Sequence, residues 1–264
     1  MKIGFIGLGN MADAIIGGML KEGIVKAADI IGSAKTDVTL EKMAKKYNIC
    51  VTNDNAEVAS KSDVLILAVK PQFFEEVIGN IKNVTREDTL IISIAAGKSI
   101  AWIEEAFAKP IKLVRCMPNT PALVGEGCTG VCLNSRVSEE EKDYSIKLMK
   151  SFGRASIIPE RLIDAVGAVS GSSPAFVFMF IEAMADAGVA AGMTRIQAYE
   201  FAAQAVLGSA KLVLERKEHP GELKDMVCSP GGTTIQGLKV LEERGFRGTV
   251  MDAIAACVEK SGQM

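Results

Sequence analysis

Short, nearly continuous apolar runs alternate with amphipathic stretches through the first half of the chain. Such runs are typical of parallel strands covered on both faces, and the stretches between them are typical of surface helices. They predict strands over residues 2–6, 29–32, 49–51, 63–69, 89–95, 112–117, 127–133 and 154–158, and helices over residues 13–20, 40–47 and 139–152. This alternation predicts an α/β fold with a doubly wound sheet. Pro159 follows the last strand, so we place a domain boundary there, between residues 1–159 and 160–264.

The second domain is predicted to be all helical. A short apolar helix over residues 162–169 is expected to end at Ser170–Gly171, and Ser173 is expected to cap the next helix, with Pro174 at its first position. That helix, over residues 175–193, is apolar on nearly every side, which a domain of roughly a hundred residues can hardly bury by itself. We therefore expect an extensive homodimer interface formed by the C-terminal helices.

A glycine-rich loop lies between two of the remaining helices. A capping box at Thr194–Gln197 opens a long helix, and shorter helices are predicted over residues 222–228, 235–244 and 248–259. The loop Ser229-Pro-Gly-Gly-Thr-Thr234 places two glycines and three hydroxyls directly before a helix. Unpaired backbone N–H groups at such a position form an anion nest for a carboxylate or a phosphate.

Composition excludes several classes of function. The 264 residues carry a formal net charge of -2, which gives no sign of a nucleic-acid partner. Six scattered cysteines without a C-x-x-C pair, and a single histidine, predict no metal site and a reduced, cytoplasmic setting. No segment is predicted to span a membrane, because the most apolar helix carries Glu182 and Asp186. The 48% hydrophobic content further indicates surface buried between subunits.

The turn after the first strand has the glycine pattern of a dinucleotide-binding loop. The segment Gly7-Leu-Gly9-Asn-Met-Ala12 fits G-x-G-x-x-A. Gly7 allows a sharp turn, Gly9 has no Cβ to block a pyrophosphate, and Ala12 lets helix and strand pack closely. The following helix offers free N–H groups and a positive dipole end to phosphates. The sequence thus predicts a Rossmann-type sheet that binds a nicotinamide dinucleotide.

The ends of the predicted strands supply the cofactor candidates. The second strand leads into Ser33 and Lys35 rather than into the carboxylate that favours NAD, so we expect NADPH to be preferred, although the nearby Asp37 leaves NADH open. Lys70 is either a catalytic residue or a loop lysine near the phosphates or ribose. The cofactor-binding candidates are Gly7, Leu8, Gly9, Asn10, Met11, Ser33, Lys35, Asn55, Ala68, Val69, Lys70, Pro71, Ala95, Ala96 and Gly97.

Two further polar residues have alternative roles. Asn119 lies in a stiff turn between two prolines, where its amide either binds a substrate or cofactor or caps its own turn. His219 precedes a proline, and we interpret it as a turn residue rather than a catalytic base.

Over essentially its whole length, the chain resembles the pyrroline-5-carboxylate reductases, which catalyse the last step of proline biosynthesis. The resemblance rests on Gly7–Ala12, Ala68–Pro71, Arg115–Pro121, Gly171–Ala175 and, most specifically, Ser229–Thr234. It implies an oxidoreductase that reduces L-1-pyrroline-5-carboxylate to L-proline with NADPH or NADH. It also implies a Rossmann domain joined to a helical dimerisation domain, whose dimers often assemble into decamers.

The resemblance also assigns site residues. It implies that Gly232 and Thr233 hold the substrate carboxylate through backbone N–H groups, that Ser229 supports the loop, and that Thr234 is catalytic, with a hydrogen bond to the ring nitrogen. The substrate-binding candidates are Met117, Asn119, Ser229, Gly231, Gly232, Thr233 and Thr234. A protonated imine is already electrophilic at carbon, so we expect hydride transfer without a metal.

Two alternatives remain open from the residues alone. A β-hydroxyacid dehydrogenase shares the opening glycine pattern and relies on a lysine of its second domain, for which Lys211 and Lys224 are the available residues. A non-catalytic NADPH sensor would bind the nucleotide without turnover. Neither alternative accounts for the anion loop Ser229–Thr234.

Overall fold

The computed structural model describes residues 1–263 and divides them into two compact units. Residues 1–171, together with those from 258 onward, form the first unit, and residues 172–257 form the second. The predicted boundary at Pro159 lies at the end of the sheet, before a helical segment that belongs to the first unit.

The first unit contains an eight-stranded sheet with helices between most of its strands. Its order is β3-β2-β1-β4-β5-β6-β7-β8, which confirms the doubly wound α/β fold. The strands are β1 Ile3–Ile6, β2 Ile30–Ser33, β3 Cys50–Thr52, β4 Val64–Leu67, β5 Leu90–Ser93, β6 Lys112–Met117, β7 Gly127–Leu133 and β8 Gly153–Ile157. The helices are α1 Asn10–Lys21, α2 Asp37–Tyr47, α3 Asn55–Lys61, α4 Phe74–Ile81, α5 Ile100–Phe107, α6 Glu139–Lys150 and α7 Ile163–Val166.

The direction of β7 follows from the length of the connection before it. All other neighbouring pairs are parallel, whereas β6 and β7 are antiparallel. The segment between Met117 and Gly127 holds only a short 3-10 turn, and a parallel crossover needs a dozen or more residues. The helix α6 supplies such a crossover, so β8 returns parallel to β7 at the edge of the sheet.

Both faces of the sheet are buried, as the apolar runs predict. Along β1, Ile3 and Phe5 belong to one core cluster and Ile6 belongs to the other. The same alternation holds in β4, where Ile66 packs with the first cluster and Leu65 with the second. Because successive side chains of a strand point to opposite faces, a continuous apolar run fills two layers at once.

The second unit is helical. Its helices are α8 Ser173–Ala190, α9 Arg195–Arg216, α10 Pro220–Val227, α11 Thr233–Glu243 and α12 Phe246–Gly262, the last of which ends in the first unit. The predicted capping box is confirmed at the start of α9, because the Thr194 hydroxyl accepts a hydrogen bond from Gln197 N–H and the Gln197 side chain accepts one from Thr194 N–H. The capping box at Ser138 and Glu141 is likewise confirmed at the start of α6.

The predicted helix break at Ser170–Gly171 is wrong. A π-helical segment, Gly167–Ser172, joins α7 to α8, so Ser173 lies inside a helical run rather than at its N-cap. Pro174 has no N–H to donate to the Ser170 carbonyl, and the wider π turn accommodates this missing α-helical bond. The resulting stretch, Glu160–Ala190, is long and apolar enough to cross a membrane by length and composition alone, a test that core helices of soluble proteins also pass.

Candidate active site

The loops predicted to hold the cofactor lie along one edge of the sheet. The strands β2, β1, β4 and β5 are adjacent and parallel, so their carboxyl ends point the same way. Ser33–Lys35, Gly7–Met11, Ala68–Pro71 and Ala95–Gly97 follow these four strands. The chain reverses its winding between β1 and β4, and such a switch point is where doubly wound sheets bind ligands.

The β1–α1 turn has the shape that a pyrophosphate requires. Gly7 has a φ of 96°, and a Cβ on it would lie 2.7 Å from the carbonyl oxygen of Ala68. By contrast, a Cβ on Gly9 would meet no atom within 4 Å, so the space beside its backbone is open. No side chain caps the N-terminus of α1, which leaves its first N–H groups available to an anion. The residues therefore fit a dinucleotide. The side chain of Leu8 is buried, so only its backbone can face the nucleotide.

Two predicted cofactor residues near the end of β2, Ser33 and Lys35, differ in their exposure to solvent. Ser33 is 0% exposed, and its hydroxyl donates to Asn55 Oδ1 at 2.7 Å. Ser33 is thus placed to orient Asn55 at the start of α3, with no surface of its own to offer a ligand. Lys35, two residues later, is exposed. No acidic side chain among the described residues forms an ion pair with Lys35.

Glu160, which no sequence pattern indicated as a functional residue, holds the start of α5. Its Oε1 atom accepts hydrogen bonds from Ile100 N–H at 2.7 Å and from Arg115 Nη1 at 2.7 Å. Because Arg115 is buried, Glu160 neutralises a guanidinium that would otherwise be costly to bury. The loop Ala95–Gly97 leads into α5, so this contact fixes one of the loops predicted to hold the cofactor. The two charges are 45 residues apart, and no local pattern reveals such a pair.

The Asn119 side chain, in the loop after β6, makes hydrogen bonds to other parts of the fold. Asn119 is buried, its Nδ2 donates to Ser170 O at 2.9 Å, and its Oδ1 accepts from Cys128 N–H at 2.7 Å. Pro174 has no N–H to donate to the Ser170 carbonyl, and the Asn119 amide donates to that carbonyl in its place. These contacts join the loop to β7 and to the π segment rather than capping the turn itself. The Met117 Cε lies against Gly167, where a Cβ would be 2.6 Å away.

The anion loop of the second unit is a tight turn followed by an uncapped helix. Ser229 O accepts a hydrogen bond from Gly232 N–H at 3.0 Å, with Pro230 and Gly231 between them. Gly231 has a φ of 69°, which is the left-handed conformation of the third residue in a type II turn. No side chain caps the helix α11, which begins at Thr233. The N–H groups in the first turn of α11, among them those of Thr233 and Thr234, therefore have no partner within the helix.

The turn interpretation of His219 agrees with its contacts. Its Nδ1 accepts a hydrogen bond from Gly221 N–H at 3.0 Å, which makes His219 the N-cap of α10. A ring nitrogen used in this way is not free to act as a base.

These features define the class of the protein: a nicotinamide-dependent oxidoreductase with a Rossmann-like domain and a helical second domain. The family model described as NADP oxidoreductase, coenzyme F420-dependent, matches residues 2–97, and that of pyrroline-5-carboxylate reductase dimerisation matches residues 160–264. The chain belongs to the pyrroline-5-carboxylate reductase family.

Full-length relatives show this membership. The pyrroline-5-carboxylate reductase of Escherichia coli K12 is 48% identical over 263 residues, which cover 100% of this chain and 98% of the relative. That of Methanosarcina acetivorans is 45% identical, with coverage of 100% and 97%. The crystal structure of the Plasmodium falciparum pyrroline carboxylate reductase with NADP bound is 36% identical, with a TM-score of 0.89 and coverage of 100% and 97%. The predicted family is confirmed, which decides against a β-hydroxyacid dehydrogenase.

Proposed function

We propose that the chain reduces L-1-pyrroline-5-carboxylate to L-proline in the cytoplasm and prefers NADPH to NADH. The main support for this proposal is the loop Ser229–Thr234 in a chain of this family. In this loop, a tight turn leads directly into a helix whose N-terminus no side chain caps. An uncapped helix start binds a carboxylate through its N–H groups and its dipole.

The hydrogen bond within the turn supports a choice among the N–H groups for the substrate carboxylate. Gly232 N–H is already bonded to Ser229 O, so it is not available to a ligand. We therefore assign the carboxylate to the N–H groups of Thr233 and Thr234. Ser229 supports the turn, because its carbonyl accepts the Gly232 N–H bond and its Oγ packs against Gly232, where a Cβ would lie only 2.3 Å away.

The Thr234 hydroxyl is the group that orients the ring nitrogen. A hydroxyl both donates and accepts, so it can accept from the protonated imine and from the amine of the product. The protein needs to supply placement and exclusion of water, because the protonated imine is electrophilic without further activation. When bound, the reduced nicotinamide supplies the hydride.

The loops that follow the carboxyl ends of β2, β1, β4 and β5 hold the cofactor. The pyrophosphate is assigned to the N–H groups that follow Gly9, and the nicotinamide end to Ala95–Gly97. NADPH preference is assigned to Lys35, an exposed cation beyond a strand that ends without a carboxylate. Asn55, held in place by Ser33, is the second polar contact at this end.

The helical unit is proposed to form a homodimer, and such dimers can assemble into decamers. Its match to the dimerisation family covers residues 160–264. Several of its large apolar side chains are exposed, among them Phe178, Met179 and Phe201. A second copy of the chain would remove these side chains from water.

Turnover of NADPH in the presence and absence of pyrroline-5-carboxylate tests the proposed reaction. Oxidation that depends on this substrate is expected, with a higher kcat/KM for NADPH than for NADH. Oxidation only with keto acids would establish a hydroxyacid dehydrogenase, and NADPH binding without turnover would establish a sensor.

The Thr234→Ala variant tests the catalytic assignment. Losing one hydrogen bond to a charged group is expected to lower kcat/KM by about 5- to 150-fold, equivalent to about 1–3 kcal/mol. Thr233→Ala is the matched control, because it removes a neighbouring hydroxyl and keeps the backbone N–H. Equal effects of the two substitutions would remove Thr234 from its proposed role.

A further inference from the structure

Lys35 and Phe73 form a contact that nothing in the cofactor-binding pattern requires. Lys35 follows β2, and Phe73 ends the 3-10 turn Pro71–Phe73 that follows β4. The Lys35 ammonium lies over the Phe73 ring, with Nζ 5.6 Å from the ring centroid. Because β2 and β4 flank β1 on opposite sides, this contact joins two loops across the carboxyl end of β1.

The position of Phe73 is not explained by the hydrophobic core. Its neighbour Phe74 is completely buried, whereas Phe73 is 40% exposed. The described residues place no second aromatic ring against Phe73. An exposed ring whose face carries a cation matches the geometry of a cation–π pair, which is attractive because the ring face is electronegative.

The charge of Lys35 remains available while its position is restricted. No acidic residue among those described forms an ion pair with Lys35, so no carboxylate in that part of the chain neutralises its charge. A lysine side chain loses considerable rotamer freedom when a ligand fixes it. A ring that already restricts this side chain reduces that loss at the moment of binding.

We propose that Phe73 is a positioning residue for NADPH selectivity, acting by holding Lys35 where the 2′-phosphate of the cofactor arrives. This inference rests on the proposed contact of Lys35 with that phosphate. The 2′-phosphate is the only chemical difference between NADPH and NADH, so the Phe73 ring influences binding of the first and not of the second.

Two small probes isolate the effect from turnover. Adenosine 2′,5′-bisphosphate carries the 2′-phosphate and adenosine diphosphate lacks it, and calorimetry measures both affinities on the full chain. Phe73→Leu keeps apolar bulk and removes the ring, and it is expected to weaken the bisphosphate by about 2- to 5-fold. Binding of the diphosphate is expected to stay unchanged. Phe73→Tyr keeps the ring and is expected to behave like the wild type.

A double-substitution cycle tests whether the ring acts through the lysine. Lys35→Met is expected to weaken the bisphosphate and to lower kcat/KM for NADPH but not for NADH. In the Lys35→Met background, Phe73→Leu is expected to have no further effect, because the charge that the ring positions is gone.

The outcomes separate this inference from the assignment on which it depends. Equal weakening of both probes by Phe73→Leu would mean that the ring stacks on adenine, and it would overturn the inference. No effect of Phe73→Leu, with a clear effect of Lys35→Met, would also overturn it and leave the NADPH assignment intact. An unchanged NADPH-to-NADH ratio in Lys35→Met would instead overturn the assignment itself. Thermal unfolding of each variant checks that the fold is retained.

Discussion

Gly7 and Gly9 stand two positions apart in one turn, yet the structure gives them different physical roles. Gly7 has a positive φ, and a Cβ on it would clash with the Ala68 carbonyl, so the fold itself requires the missing Cβ. Gly9 has an ordinary φ of -77° and open space beside it, so its missing Cβ serves a ligand. Sequence patterns treat both glycines as parts of one fingerprint.

Alanine substitutions should separate these two roles. Gly7→Ala is expected to reduce the free energy of unfolding by about 1–3 kcal/mol from backbone strain alone, with the clash against Ala68 adding to it. Gly9→Ala is expected to change that free energy by less than about 0.5 kcal/mol and to weaken NADPH binding by about tenfold or more. Urea denaturation and calorimetry measure the two quantities. A stable Gly7→Ala protein with normal affinity would contradict the assigned roles.

At the scale of elements, Asn119 connects three parts of the first unit. Its side chain joins the loop after β6 to β7 and to the π segment before α8. Substitution of a buried side chain that satisfies two backbone groups leaves both without a partner.

Asn119→Ala is therefore expected to lower the free energy of unfolding by about 2–4 kcal/mol. The exposed Asn80 on α4 offers a matched control, and Asn80→Ala is expected to change the same quantity by less than about 0.5 kcal/mol. Both values come from guanidinium denaturation. Unchanged stability in Asn119→Ala, accompanied by a raised KM, would show that the amide serves a ligand.

A second connection between elements joins α1 to α2 and depends on pH. Asp13 accepts hydrogen bonds from Lys46 Nζ at 2.7 Å and from the Tyr47 hydroxyl at 2.6 Å. Burial is the largest influence and raises the pKa of Asp13, but these hydrogen bonds and the nearby lysine charges together outweigh it. The pKa of Asp13 in the folded protein is therefore below its usual value of 3.8.

The sign of this shift determines the pH at which the stabilisation is lost. A lowered carboxyl pKa stabilises the fold fully above pH 3.8, and this contribution disappears as pH falls through the lower value of the folded state. Lys46→Met is expected to cost about 0.5–1 kcal/mol at pH 7, since 47% of the lysine side chain is exposed to water. The difference from the wild type should shrink below pH 3.8 in urea titrations. A difference independent of pH would show that Lys46 acts through packing instead.

For the molecule as a whole, the exposed apolar surface of the helical unit indicates how it assembles. Met179 and Phe201 are each 67% exposed on α8 and α9. Side chains of this size seldom remain in water over a continuous helical surface unless a partner covers them. The family model that matches residues 160–264 is one of dimerisation, so a second copy of the chain is the partner in the proposed homodimer.

Met179→Asp is expected to shift the molar mass from oligomer towards monomer, because a buried unpaired carboxylate is costly at an interface. Val38→Asp is the matched control for mass, since Val38 is 79% exposed on α2 of the first unit. Light scattering coupled to size exclusion measures both proteins. An unchanged mass for Met179→Asp would place the interface on another surface.

The sequence by itself determined the features that depend on neighbouring residues. The capping boxes at Ser138 and Thr194 were predictable because each closes within one helical turn. The buried strands were predictable because a run covered on both faces must be apolar at every position. The loop Ser229–Thr234 predicts an anion nest from neighbouring residues alone, because two glycines and three hydroxyls stand directly before a helix.

The tertiary structure alone decided the contacts between distant segments. It showed that Ser33 orients Asn55, that Glu160 pairs with Arg115, and that the Ser170 carbonyl is served by Asn119. The last contact explains why the chain continues as a helix where the sequence predicted a break. Hydrogen bonds and ion pairs of this kind depend on which strand ends meet at one edge of the sheet. Patterns of neighbouring residues do not reveal that arrangement, because it depends on the order in which the strands pack in the sheet.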